Sequence, residues 1–210
     1  LGDRIAYATP PVGAYAQERV MAADTVVKIP PGVSDSEAAA MMLKGMTAEY
    51  LLHRTYPVKA GDVILFHAAA GGVGLIACQW AKQLGATVIG TVGSDEKAEL
   101  ARAHGCDHPI VYTRENLVER VRELTHGAGV PVVYDSIGAD TYEASLNCLA
   151  PLGMMVSFGN ASGPAPAVSP GDLASRGSLF FTRPTLMTYT AKREDLVNSA
   201  NALFDVVKSG

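Results

Sequence analysis

The chain has 210 residues, of which 48% are hydrophobic and 18% charged, with a formal net charge of −4, the profile of a packed globular α/β protein and not of a disordered chain. Mixed charge without a run of five basic residues excludes the electrostatic footprint of a nucleic-acid or anionic-membrane binder. No apolar run reaches the roughly 18 residues that span a bilayer, and Cys78, Cys106 and Cys148 are too far apart for a C-x-x-C zinc pattern or a disulfide framework, which points to the reducing cytoplasm.

Leu1 is not a methionine and is followed at once by the strand-like GDRIAYA, so the chain reads as part of a larger protein. From Asp3 to Pro30, RIAYA, AYAQERVMA and TVVKIP alternate apolar and polar residues between turn formers, which predicts short antiparallel strands. Ser34 and Ser36 then stand as caps before EAAAMMLKGMTAEYLLHRTY, a helix stopped by Pro57. Beyond it, apolar β-rich runs alternate with amphipathic stretches, the sign of repeated βα units. Strands are expected at 63–68, 87–92, 108–112, 131–136, 154–159 and 178–182. Helices are expected at 72–84, 95–104, 114–126 and 140–149, with a last one at 192–208. The stretch 160–177 is rich in Pro, Gly, Ala and Ser and is expected to be an irregular loop. The fold predicted is α/β: a Rossmann-type doubly wound parallel sheet over 37–210, preceded by a β-rich segment at 1–36. Ligands in such sheets lie at the carboxyl ends of the strands.

The stretch VILFHAAAGGVGLIACQWAKQLGA is an apolar strand running through a small-residue turn directly into a helix. Gly71, Gly72 and Gly74 let the backbone turn tightly against a pyrophosphate, and the helix that starts there presents free N–H groups and the positive end of its dipole. Ala69 stands where the usual G-x-G-x-x-G has its first glycine, so the pattern is A-x-G-x-x-G. Coenzyme choice is read at the end of the second strand, where an NAD site offers a carboxylate to the ribose 2′-OH. Here that tip is Thr91-Val92-Gly93-Ser94, without an acid. Gly93, Ser94 and Lys97 instead supply space, a hydroxyl and a cation for a 2′-phosphate, which favours NADPH. Asp95 and Glu96 oppose an anion there, although they also serve the helix dipole, and Ser94 and Lys97 have the alternative reading of a cap and a solvated lysine. Tyr112 stands at the same edge as a flank for the adenosine or as a half-buried strand residue. His67 is read as a satisfied core or loop histidine in preference to a catalytic acid.

The ordered motifs GDRIAYA, LKGMTAEYLL, HAAAGGVG, GTVGSDEK, VVYDSIG, VSFGNASG and TRPTL run through the whole chain. Together they resemble the quinone oxidoreductase (zeta-crystallin-like) branch of the medium-chain dehydrogenase/reductase superfamily. The resemblance implies a GroES-like catalytic domain, of which 1–36 would be the remnant, and an NADP-binding domain at 37–210 without its C-terminal return segment. It implies an NADPH-dependent, zinc-independent quinone reductase, a cytoplasmic homodimer acting on a small-molecule quinone or activated alkene. By that resemblance Gly72 and Val73 meet the pyrophosphate, Gly93, Ser94 and Lys97 the 2′-phosphate, and Tyr112 the adenosine. Thr47, Tyr50, Phe158, Gly159, Asn160 and Ala161 line the nicotinamide pocket, while Pro184, Thr185 and Leu186 lie near the nicotinamide or the dimer edge.

Zinc-dependent relatives place a ligand cysteine in a C-A-G-x-T context where this chain has Leu43-Lys44-Gly45-Met46-Thr47, so no metal is expected. No proton donor stands out, and the catalytic residues stay unassigned. Two alternatives remain: an enal, enone or enoyl-thioester reductase, and an NADP-binding module without catalysis.

Overall fold

The computed structural model describes residues 2–8, 10 and 12–209. Contacts divide the chain into two compact units, residues 1–50 with 185–210, and residues 51–184.

In the first unit, β1 (Ile5–Ala6) pairs antiparallel with β2 (Val27–Lys28). The sequence predicted three longer strands here. The stretch 14–22 forms bends instead, with Tyr15 and Val20 fully exposed, because an alternating run stays a strand only where a partner edge and a buried face receive it. Helix α1 (Asp35–Tyr50) opens with a capping box. The Glu37 amide donates to Ser34 Oγ at 3.2 Å, and Glu37 Oε2 accepts from the Ser34 amide at 2.8 Å, so two donors at the helix end are satisfied reciprocally. The chain continues as a π-helical turn, Leu51–Thr55, in the second unit.

That second unit is built on β3 (Val63–Phe66), β4 (Thr87–Val92), β5 (His108–Val111), β6 (Val130–Asp135), β7 (Leu149–Ser157) and β8 (Phe180–Thr182). They form one sheet in the order β5-β4-β3-β6-β7-β8, every pair parallel. This is the doubly wound sheet expected. Its helices are α2 (Gly72–Gln83), α3 (Asp95–Ala103), α4 (Leu117–Leu124) and α5 (Tyr142–Cys148). Val121 of α4 and Tyr142 and Leu146 of α5 pack with Leu65, Ile89, Ile110 and Val133 of the strands in one core. In α2 and α3, buried Ala77, Ala81, Ala98 and Ala101 present small faces that bring those helices close to their neighbours. Strand β7 starts five residues earlier than predicted, at a register shift between Val130 and Val132.

The stretch expected to be loop contains α6 (Pro170–Ser175), with Pro170 in its first turn, where a missing N–H costs nothing. Two further helices, α7 (Leu186–Tyr189) and α8 (Arg193–Ser209), belong to the first unit. There α1 and α8 approach so closely that a Cβ on Gly45 would come within 2.3 Å of Leu203 Cδ1, and buried Glu49 accepts from Ser199 Oγ at 2.7 Å.

Candidate functional site

The chain runs outward in sequence from β3 to β5 on one side and returns to β6 beside β3, so the switch point lies between β3 and β6. At the carboxyl end of β3 the His67 amide donates to Tyr134 O (2.9 Å) and the Ala69 amide to Thr91 O (3.0 Å), which seats the turn between β4 and β6. Ala68 adopts φ +52°, and the Gly71 amide donates to Ala68 O at 2.8 Å. A Cβ on Gly74 would lie 2.3 Å from Ala68 O and 2.6 Å from Ala69 O, so only glycine fits where helix and turn meet. Gly71 caps α2 without a side-chain bond, leaving the first-turn amides of Gly72, Val73 and Gly74 open to an anion.

Beside this turn lies a cleft of about 430 Å³. Ala70, Gly71, Gly93, Lys97 and Tyr112 are among its lining residues, bringing together four of the residues singled out in the sequence for the cofactor. A Cβ on Gly93 would sit 3.1 Å from the Tyr112 hydroxyl, so the glycine gives the ring its place. Ser94 caps α3, its Oγ accepting from the Lys97 amide at 3.4 Å. The neighbouring acids are engaged. Arg114 binds Asp95 through both guanidinium nitrogens at 2.5 and 2.6 Å and holds its carboxyl below the usual range, while Ser94 does the same for Glu96.

The floor of the cleft is a buried polar group that sequence reasoning did not assemble. His67 Nδ1 lies 3.0 Å from Thr91 Oγ1 and its Nε2 lies 2.9 Å from Ser145 Oγ. Ser145 and Thr141 donate to Asp135 Oδ2 at 2.9 and 2.7 Å. Asp135 Oδ1 accepts the amides of Ile137 (2.7 Å) and Gly138 (3.0 Å), and the Ala68 amide donates to Thr91 Oγ1 at 3.2 Å. Burial lowers the pKa of His67 against the opposing pull of Asp135. His67 is thus a fully satisfied histidine.

Phe158, Gly159, Asn160 and Ala161 follow β7 and pack against the turn after β6. The Phe158 amide donates to Asp135 O (2.8 Å) and the Ala161 amide to Ser136 O (3.1 Å), and a Cβ on Gly159 would meet Ser136 O at 2.5 Å. The Phe158 ring packs on Phe66 at 5.7 Å, whereas Asn160 and Ala161 are exposed. These four are backbone neighbours of Ile137, which lines the cleft, without lining it themselves. Pro184, the last residue of this unit, accepts from Arg183 Nη1.

Thr47, Tyr50, Thr185 and Leu186 lie in the other unit. There the Tyr50 ring stacks on Tyr189 at 4.5 Å, Thr47 Oγ1 donates back to Leu43 O, Thr185 precedes α7, and Leu186 is buried.

The cradle and the cleft fit a dinucleotide: open helix amides at the turn, a lysine and a tyrosine lining the cleft. Among the described residues, no group of three His, Cys, Asp or Glu side chains comes together. Nor is any helix among them long and apolar enough to cross a membrane.

A family model described as zinc-binding dehydrogenase matches residues 72–203. The quinone oxidoreductase of Pseudomonas aeruginosa is 55% identical over 210 residues, covering 100% of this chain and 65% of that protein. The 2-haloacrylate reductase of a Burkholderia species is 52% identical, covering 100% and 64%. The crystal structure of Escherichia coli quinone oxidoreductase complexed with NADPH superposes with a TM-score of 0.96 at 51% identity, covering 100% of this chain and 64% of that one. The chain therefore spans about two thirds of the length of these relatives.

Proposed function

Because the chain belongs to the zinc-binding dehydrogenase family, within the quinone oxidoreductase branch of the medium-chain dehydrogenase/reductase superfamily, we propose that it is the cofactor-binding part of an NADPH-dependent quinone reductase. The observation that carries the reading is that one cleft is lined both by Gly71 of the glycine turn, which Gly74 keeps too tight for any side chain, and by Gly93 and Lys97, with no acid at the strand tip where an NAD site would carry one.

In this reading the first-turn amides of α2 at Gly72, Val73 and Gly74 hold the pyrophosphate, and Gly93, Ser94 and Lys97 hold the 2′-phosphate beside Tyr112. Phe158, Gly159, Asn160 and Ala161 stand on the nicotinamide side of the cofactor unit; for Thr47, Tyr50, Pro184, Thr185 and Leu186 the nicotinamide or dimer-edge roles are those that the family resemblance implies. Bound NADPH supplies a hydride to a quinone. The protein orients the reactants and keeps water out, and the hydroquinone monoanion left by hydride transfer takes its one remaining proton from solvent, so no side-chain acid is required. No step runs through zinc. Residues 1–36 belong to a GroES-like catalytic domain and 37–210 to the NADP-binding domain, and the whole protein is a cytoplasmic homodimer.

A fluorescence titration of the 210-residue chain tests the cofactor: NADPH is expected to bind well below the concentration at which NADH does, and equal affinities sink this part of the proposal. Oxidation of NADPH by benzoquinone then tests the reaction. Binding without turnover leaves an NADP-binding module in its place. The likeness to a 2-haloacrylate reductase favours a second reading, reduction of an activated alkene, for which 2-chloroacrylate or an enone would outpace the quinone.

A further inference from the structure

The polar group beneath the cleft is used by neither the anion cradle nor the hydride step, yet one assignment of protons satisfies all of it. Thr91, His67 and Ser145 are 3%, 1% and 0% exposed and Asp135 is 0% exposed, a depth at which an unpaired polar group is costly. The Asp135 carboxylate accepts, so the Ser145 hydroxyl donates its hydrogen bond to it. Ser145 Oγ is then the acceptor for His67 Nε2–H, His67 Nδ1 accepts from the Thr91 hydroxyl, and Thr91 Oγ1 accepts the Ala68 amide. The chain of bonds crosses the switch point from β4 through β3 and α5 to β6, and both of its ends fall on backbone beside the cleft.

At one end Ala68 holds φ +52°, a conformation disfavoured for a side-chain-bearing residue and kept only where its surroundings over-determine it. At the other, the Ile137 and Gly138 amides are pulled onto one carboxylate oxygen, and a Cβ on Gly138 would lie 2.2 Å from Gly163 O, so that turn fixes the segment after β7 as well.

We propose that Thr91, His67, Ser145 and Asp135 form one positioning network, which sets the Ala68 turn and the Ile137–Gly138 turn in register so that the cleft is shaped for the pyrophosphate and nicotinamide half of the dinucleotide before it binds. The proposal rests on the NADPH reading for the identity of the ligand, but not for the coupling of the two turns.

Amide hydrogen exchange on the ligand-free 210-residue chain tests the coupling. Ser145→Ala severs the network in the middle and touches neither end. Exchange at Ala68, Ile137 and Gly138 is expected to rise together by about five- to tenfold, the equivalent of one lost hydrogen bond, with Ala98 in α3 unchanged; an unchanged Ala68 overturns the proposal. Should Ser145→Ala not fold, Thr91→Val makes the same test from the other side, with Gly138 as the reporter, and an unchanged Gly138 there overturns it equally.

Binding provides the second readout. In Ser145→Ala or Thr91→Val, NADPH is expected to lose about five- to tenfold in affinity while 2′,5′-ADP, which reaches only the Lys97 and Tyr112 end, loses none. Thr91→Ser keeps the hydroxyl and is expected to stay within about twofold of the parent. Equal losses for both ligands, or a Thr91→Ser variant as weak as Thr91→Val, overturn the proposal. Failure of the parent chain to bind NADPH at all would instead defeat the cofactor reading, with the exchange data still deciding the network.

Discussion

Ala69 and Gly90 share one space beneath the glycine turn: a Cβ on Gly90 would lie 2.5 Å from Ala69 Cβ, and Ala69 is fully buried. The methyl that replaces the usual first glycine is therefore accommodated by a glycine on the neighbouring strand, in the middle of β4. Gly90→Ala is expected to destabilise the chain by about 1–3 kcal/mol through overpacking, more so because Cys106 Sγ stands 2.6 Å from the same point. Adding Ala69→Gly should return part of that loss. Urea midpoints of the two single variants and the double variant decide it, and strictly additive changes would show that the two positions do not compete.

Gly74 has no comparable relief. Its Cβ would press on the carbonyl oxygens of Ala68 and Ala69, which are backbone and cannot turn aside. Gly74→Ala is expected to cost about 3 kcal/mol, the upper part of the overpacking range, and to abolish dinucleotide binding. Gly171→Ala, whose Cβ would meet only Ser169 Oγ at 3.7 Å, serves as the control and should stay within about 0.5 kcal/mol. Thermal melts with and without NADPH make the measurement.

Lys97 separates the two coenzymes. Replacing it with Ala should weaken NADPH by about 1.5–3 kcal/mol, the worth of a charged hydrogen bond, and leave NADH nearly unchanged. Loss of equal size for both, read by fluorescence titration, would remove the 2′-phosphate from this end of the cleft.

His67 makes stability depend on pH in a known direction. Burial among Thr91, Ser145 and Asp135 lowers its pKa in the folded chain, whereas the unfolded imidazole titrates near its ordinary value of about 6.5. Below that pH the unfolded state binds a proton that the native state refuses. Stability is therefore complete above about pH 7 and falls as the pH drops below about 6.5, by up to about 1.4 kcal/mol per unit, until the native pKa is reached. The difference in unfolding free energy between the parent and His67→Gln, followed from pH 8 to pH 5, isolates this contribution from the other histidines. A difference that stays constant with pH would contradict a neutral buried imidazole.

The alternation of βα units was legible because parallel strands buried on both faces are near-continuous apolar runs, and because their helices stop at glycines such as Gly85 and Gly105, both at positive φ. The start of α3 was legible because Ser94 caps it, accepting from Lys97, whereas the cap of α4, Asn116, which accepts from Val118 and Glu119, was missed in the sequence. The short α6 was hidden by a composition that suits loops and first turns alike.

The sequence by itself determined the doubly wound sheet, the glycine turn into α2 and the absence of an acid at the tip of β4, because each is a local pattern in which backbone sterics or charge can be read over a few neighbouring residues. Tertiary structure alone decided three things. Among the described residues of the first 30, the strands are the two-residue pair Ile5–Ala6 and Val27–Lys28, since strands need partners that local alternation does not supply. Ala69 is tolerated because Gly90 lies beneath it. And Thr91, His67, Ser145 and Asp135, as far as 78 residues apart between His67 and Ser145, become one hydrogen-bonded group, because only the order of strands across the switch point brings their side chains to the same buried place.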